Sequence, residues 1–365
     1  MILIRPRLKN SSYPICVGCS LKDLGKGIQK FIFHLNRTPN KALLVTHPSI
    51  KNLYGSLIMK SLTHSKIKSS FAFFPEGEEY KNLKTVQLLY KKCIEAKLDR
   101  TSCIVALGGG VIGDTAGFVA ATYLRGIPLI HVPTTLLAMV DSSIGGKVGV
   151  DLAEAKNSIG AFYQPALVWS DLETLKTLPK AELKNGMAEV IKYGVIKDPK
   201  LFEQLEKRIS KNGQLTFNFS SIVARCAKIK ADVISQDEKE TKGLREILNF
   251  GHTLGHAIET ETGYSAYKHG EAISIGMCAA GFIAEKFRMW SASENLRLSR
   301  ILKSAGLPIR LKKTLPLKNL LTLLFRDKKV LSEDLRFVLP TQIGKVVVKK
   351  IPSALALQGI QSIEP

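Results

Sequence analysis

Through the first third of the chain, apolar residues gather into short runs separated by segments of helical spacing. Ile2 to Ile4, Tyr13 to Val17, Lys41 to Thr46, Ser69 to Phe74, Cys103 to Leu107 and Ile127 to Val132 read as strands. Between them, apolar positions recur at three and four in Ser49 to Leu62 and Leu83 to Ala96, and the four residues from Ser20 to Asp23 look like a capping box opening a helix to about Leu35. Strands alternating with helices predict an α/β unit with a mainly parallel sheet, which binds ligands outside the carboxyl ends of its strands. Near Leu178 and Pro179 the pattern changes, and from Lys180 to about Ala305 nearly everything has helical periodicity. Arg336 to Leu339 and Lys345 to Ile351 flank a turn and predict a short hairpin. The expectation is two domains, an α/β unit over residues 1–178 and a mostly α-helical unit over 179–365.

A length of 365 residues accommodates two such cores, and 45% hydrophobic with 23% charged residues is the composition of a soluble globular protein. The stretch MILIRPRLKN has no apolar signal core, and Ala272 to Ala284 is too short to span a bilayer, so a cytoplasmic protein without membrane partners is expected. Six cysteines in such a chain read as reduced thiols; Cys16 and Cys19 form a C-x-x-C with no second pair to complete a zinc site. The net charge of +22 raises the question of nucleic acid. Against it, the 53 Lys and Arg residues are spread along the chain, aromatic residues are only 7%, and no nucleic-acid-binding pattern occurs. A basic surface that attracts small anionic metabolites accounts for the charge more economically.

Candidate chemistry begins where the strand Cys103 to Leu107 breaks into Gly108, Gly109 and Gly110, followed by Gly113 and Asp114 and a small-residue helix. Glycines allow close approach of a ligand to the backbone, and the free N–H groups of a helix start attract anions, so a phosphate-bearing cofactor fits there. The G-x-G-x-x-G reading is weak by itself, because Pro133 and Thr134 stand about where a dinucleotide fold places its ribose-binding acid. After the strand Ile127 to Val132, Asp141, Lys147, Lys156 and Asn157 lie in a segment broken by Gly145, Gly146 and Gly149, a composition that suits an anionic substrate. In the helical half, three pieces carry metal-type ligands: Glu189 with Lys192 and Tyr193, His252 with His256, and His269 with Glu271. A catalytic zinc uses three protein ligands. His252 and His256 share a helix face, whereas Glu189, His252 and His269 come from three segments, and spacing does not choose between these sets. Lys230, Arg245 and Asn249 add anion-binding donors.

Taken in order, GGGVIGDTAGF, RGIPLIHVPTTLLAMVDSSIGGK, KNSIGAFYQP, GMAEVIKYG, LNFGHTLGHAIE and HGEAISIGM resemble the 3-dehydroquinate synthase family, from about Tyr13 to Gly344. The resemblance implies an NAD-binding α/β domain, a helical metal domain and a homodimer. It also implies conversion of 3-deoxy-D-arabino-heptulosonate 7-phosphate into 3-dehydroquinate and phosphate by transient oxidation, phosphate elimination, re-reduction and an intramolecular aldol step. By resemblance Glu189, His252 and His269 hold zinc, with cobalt as a substitute. NAD is met by Glu76, Gly77, Glu78, Glu79, Tyr80 and Lys81, by Gly110, Val111, Ile112, Gly113 and Asp114, and by Thr134, Thr135, Lys147 and Lys156. Thr174, Leu175, Lys176 and Thr177 complete that set. Substrate is met by Asp141, Lys147, Asn157, Lys192, Lys230, Arg245, His256 and Lys328, and Arg125 reaches the phosphate site of the neighbouring subunit. Two positions depart from the family's pattern. His47 stands where the family often has an aspartate or asparagine near the adenosine ribose, and the run from Asp237 to Arg245 is one residue longer, which leaves Glu240 without an assigned role.

Overall fold

The computed structural model describes residues 1–9, 12–32, 39–152, 156–209, 218–326 and 334–365. In chain order it runs β1 (Ile2–Ile4), β2 (Ile15–Val17), α1 (Leu24–Ile32), β3 (Lys41–Thr46), α2 (Pro48–His64), β4 (Lys68–Phe73), α3 (Leu83–Glu95), β5 (Cys103–Gly108), α4 (Gly110–Thr122), β6 (Leu129–Pro133), β7 (Lys147–Val150), β8 (Ile159–Phe162) and β9 (Leu167–Ser170). It continues with α5 (Lys180–Ile196), α6 (Pro199–Arg208), α7 (Phe219–Gln236), α8 (His252–Glu261), α9 (His269–Lys286), α10 (Ala292–Ser304), α11 (Leu317–Arg326), β10 (Asp334–Gln342), β11 (Lys345–Pro352) and α12 (Ser353–Gln361). Among the described residues no helix is long and apolar enough to cross a membrane.

Two compact units emerge, one of Met1–Pro179 with Phe219–Lys239, the other of Lys180–Asn218 with Glu240–Pro365. The expected division at residue 178 therefore misplaces α7, which belongs with the α/β unit. Amphipathic spacing shows that a helix buries one face and is silent on which partner covers it. Here α7 packs on β1 and β2 and on the turn Ala138–Ser142.

The first unit is built on a seven-stranded sheet of order β1-β2-β9-β6-β5-β3-β4, parallel except for β1 against β2. Its central strands are buried along their whole length because both faces are covered. Leu44, Val105, Leu107, Ile130 and Val132 pack on one face with Leu24, Ile28, Ile58 and Leu62 of α1 and α2. Leu43, Val45, Ile104, Ala106 and Leu129 pack on the other with Val86 and Leu89 of α3 and Ile112, Ala116 and Val119 of α4. From β3 the chain moves on to β4, and from β5 to β6 on the opposite side, so the order reverses between β3 and β5. A crevice opens at the carboxyl ends of such a pair. The glycine loop leaves the sheet there.

The segment Ser20 to Asp23 forms a tight turn rather than the first turn of a helix with a reciprocal box; the Ser20 hydroxyl accepts from Lys22 N at 3.2 Å, and α1 starts at Leu24. The expected end of that helix near Leu35 lies outside the described residues. The glycine-rich segment after Gly145 contains an antiparallel pair, β7 with β8, that the sequence pattern conceals. Gly149 and Gly160 face each other across it. A Cβ on Gly149 would lie 2.7 Å from the Ile159 carbonyl oxygen and one on Gly160 2.5 Å from that of Val148, so the residues with the poorest strand propensity are required by the pairing.

In the second unit α9 is the central element. It packs against α5, α8, α10, α12 and β10, and its residues from Ala272 to Gly281 are buried in an unbroken run. The hairpin β10–β11 is longer than expected, with a register shift between Pro340 and Gln342.

Candidate active site

In the first unit, α4 begins right after the glycine loop with Gly109 at its cap and no side chain covering the first N–H groups. Those of Gly110, Val111 and Ile112 have no partner within the helix and sit at the positive end of its dipole. The glycines also set where the helix lies. A Cβ on Gly110 would stand 3.2 Å from Ser142 Oγ, on Gly113 3.3 Å from His131 Cε1, and on Gly117 2.4 Å from Val148 Cγ1. Three glycines on one face thus let α4 rest directly on β6, β7 and the turn Ala138–Ser142 between them, which holds the loop at the sheet's rim.

His131, only 4% exposed, lines a small cavity with Gly108, Gly109, Gly113, Ser142 and Ser143. Burial lowers its pKa from 6.5 to about 4. As pH falls the unfolded chain takes up this proton first, so the stability contributed by the neutral imidazole is intact above about 6.5 and is lost as pH drops towards 4. The full window is worth about 3 kcal/mol. Denaturation midpoints at pH 7 and pH 4 should therefore draw together in His131→Gln relative to wild type, and an equal acid loss in both proteins excludes this group as the cause.

Around the rim, Lys81 Nζ donates to Asp114 Oδ2 at 2.7 Å and to Asn157 Oδ1 at 2.6 Å, although its side chain is only 5% exposed. Lys156 Nζ lies 3.1 Å from Glu78 Oε1, and Glu76 accepts from Ser49. Thr134 N donates to the Gly108 carbonyl at 3.0 Å, and Thr135 Oγ1 accepts from Ala138 N at 3.1 Å. Thr174, Leu175, Lys176 and Thr177 lie in and just after the turn that follows β9. Gly77, Glu79 and Tyr80 form the turn before α3. Most of the expected dinucleotide residues of this unit thus follow parallel strands, whereas Lys147 and Lys156 belong to the antiparallel β7–β8 segment. His47 caps α2 there, its Nδ1 hydrogen-bonded to the Phe74 carbonyl at 2.9 Å.

Asp141 sits in the turn before β7, and Lys230 of α7 reaches it with its Nζ 2.8 Å from both the Asp141 carboxylate and the Asp141 carbonyl. This contact needs the helix that the expected domain division assigned elsewhere. Lys147 is exposed at the start of β7 and Asn157 is exposed just before β8. Arg125 is exposed in a strained loop in which Leu124 and Arg125 have φ of 51° and 65°. Lys328 lies outside the described residues.

In the second unit, α5 buries Glu189 completely and α8 and α9 bring His252 and His269 to it. His252 Nε2 is 3.2 Å and His269 Nε2 3.4 Å from Glu189 Oε1. Among the described residues neither oxygen of this buried carboxylate receives a well-directed hydrogen bond, even though Lys192 Nζ also touches Oε2. Each imidazole is turned by its other nitrogen. His252 Nδ1 meets the Phe250 carbonyl at 3.2 Å, and His269 Nδ1 meets Glu259 Oε2 at 3.4 Å. That is how a protein fixes histidines whose Nε2 lone pairs face a metal. Burial, then Lys192, holds His252 neutral with its pKa near 4. Burial also acts to lower that of His269, but Glu189 and Glu259 outweigh it and raise it to about 10. Burial likewise works against the Glu189 anion, yet Lys192 and His252 keep its pKa well below the usual range. A buried anion ringed by imidazole nitrogens is a cation site, and the donor set suits zinc or cobalt.

Glycine packing creates this geometry. Gly251, with φ of +80°, starts α8, and a Cβ on Gly276 of α9 would stand 2.0 Å from its carbonyl oxygen. His256 is exposed on α8 beside this group, its ring 5.4 Å from that of His252. Arg245 is buried and its Nε is 3.2 Å from Glu240 Oε1. Sequence reasoning named Glu240 without giving it a role and missed Glu259. Glu240 takes a left-handed conformation, with φ of 56°, that carries its carboxylate back to Arg245. Glu259 follows His256 by three residues on one helix face, a spacing from which a supporting role could have been read.

Two family models match, one described as 3-dehydroquinate synthase N-terminal over residues 71–185 and one as 3-dehydroquinate synthase C-terminal over residues 186–330. A 3-dehydroquinate synthase of Rippkaea orientalis is 46% identical over 363 residues, covering 98% of each chain. One from Symbiobacterium thermophilum is 47% identical over 363 residues, covering 98% of this chain and 99% of its own. Among solved structures, a 2-deoxy-scyllo-inosose synthase complexed with carbaglucose-6-phosphate, NAD+ and Co2+ is 26% identical, with a TM-score of 0.87 over 99% of this chain and all of its own. A 2-epi-5-epi-valiolone synthase from Streptomyces hygroscopicus with NAD+ and Zn2+ bound shares the fold, with a TM-score of 0.87 at 24% identity over 98% of each chain.

Proposed function

Because the chain belongs to the 3-dehydroquinate synthase family, we propose that it converts 3-deoxy-D-arabino-heptulosonate 7-phosphate into 3-dehydroquinate and phosphate, as a lyase that uses NAD catalytically with a divalent metal. The observation that carries this reading is the buried Glu189 carboxylate faced by the Nε2 atoms of His252 and His269, with the buried Lys192 ammonium beside it. Glu189, His252 and His269 would hold the metal, which would supply Lewis acidity, and the residues around the glycine loop would hold the dinucleotide, which would supply reversible hydride acceptance with no net redox change.

The chain's own residues bind, orient and hold protons. Lys192, Asn157, His256 and Arg125 hold the phosphate through its loss, a task for cations and donors that do not act as strong bases. Lys147, Lys230 and Arg245 hold the carboxylate and hydroxyls, and Lys328 belongs to the same set. Asp141 orients the hydroxyl that is oxidised, and its pairing with Lys230 supports that assignment. The residues named above around the glycine loop hold NAD: Glu76 to Lys81, Gly110 to Asp114, Thr134, Thr135, Lys147, Lys156 and Thr174 to Thr177. In the same proposal the enzyme is a cytoplasmic homodimer in which Arg125 serves the partner; exposed Leu124 and Phe162 supply apolar surface in that unit.

The test is phosphate release from this substrate with NAD and zinc, repeated after chelation. Metal-dependent release without accumulating NADH is expected. No release by folded, zinc-loaded protein overturns the substrate assignment, and continuous NADH formation points to a polyol dehydrogenase instead. Arg245→Ala should weaken substrate binding by about 1.5 to 3 kcal/mol, because it removes a charge-assisted contact to the substrate carboxylate. Steady-state kinetics check this, and an unchanged Michaelis constant and turnover remove the role.

A further inference from the structure

His269 is held between two carboxylates, with Nε2 turned to Glu189 and Nδ1 turned to Glu259. Glu259 lies three residues beyond His256 on α8, so the two side chains leave the helix on the same face. The His256 and His269 rings are 6.2 Å apart. One ligand atom each from His256, Glu259 and His269 lies within 4.8 Å of the others, the same closeness that defines the Glu189 group. We propose that His256, Glu259 and the Nδ1 edge of His269 form a second, weaker divalent-metal site that shares the His269 ring with the first.

The donor set is the His256 imidazole, the Glu259 carboxylate and a bridging imidazolate from His269, which suits zinc. Occupation moves the Nδ1 proton of His269 to solvent and turns Glu259 from a hydrogen-bond acceptor into a ligand. Two costs make the site the weaker one, the loss of that proton and repulsion from an ion on the other edge of the ring. The half-exposed setting acts in the opposite sense, because His256 is reached directly from solvent. A metal held there occupies the histidine assigned to substrate phosphate, so excess zinc becomes an inhibitor. That consequence rests on the proposed reaction. The metal count does not, so failure of the substrate assignment leaves the site itself standing.

Protein carrying one equivalent of zinc is titrated with further Zn2+, and bound metal is counted after each step. A second equivalent should bind at least tenfold more weakly than the first. His256→Asn should abolish it while the first ion stays within about threefold of its original affinity. Crystals soaked in excess zinc supply a reading free of any variant: anomalous scattering at the zinc edge should show a second peak between His256 and Glu259. A single equivalent in wild type, a second equivalent that persists in His256→Asn, or a second peak elsewhere overturns the proposal. If His256→Asn loses both ions, the anomalous map decides between the remaining outcomes.

Discussion

Glu189→Gln is expected to lose both metal and stability. The substitution keeps the shape of the side chain and removes its charge. Glu189 is fully buried and Lys192, 1% exposed, is in contact with it, so the change strands an ammonium in the interior. Breaking one partner of a buried pair costs about 3 to 5 kcal/mol. The metal suffers separately, because the anion that both imidazoles face is gone. Loss of a supporting residue alone typically costs 10- to 100-fold in metal affinity, and removal of a charged ligand should reach at least about 100-fold. Chelator competition measures the second effect and chemical denaturation the first. Adding Lys192→Met separates them: the double variant should recover most of the stability and none of the metal affinity. Zinc binding at wild-type affinity in Glu189→Gln would falsify the assignment of this carboxylate as a ligand.

The second large effect comes from a residue without a side chain. A methyl group on Gly276 would stand 2.0 Å from the Gly251 carbonyl oxygen and 3.0 Å from its carbonyl carbon, both backbone atoms that cannot turn aside. Gly276→Ala must push α8 off α9. Overpacking of this kind costs about 1 to 3 kcal/mol, and the backbone on both sides places this case at the upper end. Gly251 immediately precedes His252, so the displaced helix carries a ligand with it, and zinc affinity should fall at least about tenfold. Gly263→Ala is the control. Among the described residues nothing lies within 4 Å of its Cβ position, and its φ of +58° costs about 1 to 2 kcal/mol when Ala replaces Gly. It should retain zinc. If Gly276→Ala kept wild-type zinc affinity, close helix packing would not be what aligns the histidines.

Much of this architecture could be read from local pattern. The continuous apolar runs of β3, β5 and β6 and the three-and-four spacing of α2 and α3 are properties of adjacent residues, and burial on both sheet faces follows from them. The glycine loop was recognisable for the same reason. Where glycine replaces the expected residue the signal fails: β7 and β8 were hidden because Gly149 and Gly160 are needed for close approach and carry no strand propensity of their own. The tight turn at Ser20 shows the reverse error, a cap-like spelling followed by a different turn.

By itself the sequence determined most of the order of strands and helices, with β7, β8 and β9 excepted, the presence of a loop suited to phosphate and the inventory of metal-type ligands, since each depends on residues near one another along the chain. It left open which ligands meet. His252 and His256 share a helix face, yet His256 also adjoins Glu259 and His269, while Glu189 lies 63 positions before His252 in the numbering and joins it only through the packing of α5, α8 and α9. Likewise α7 carries the spelling of any amphipathic helix, and its place beside Asp141 was decided when the first unit, not the second, covered its apolar face. Periodicity records that a face is buried. The partner that buries it, and hence the side chains brought within bonding distance, is fixed only when the whole chain packs.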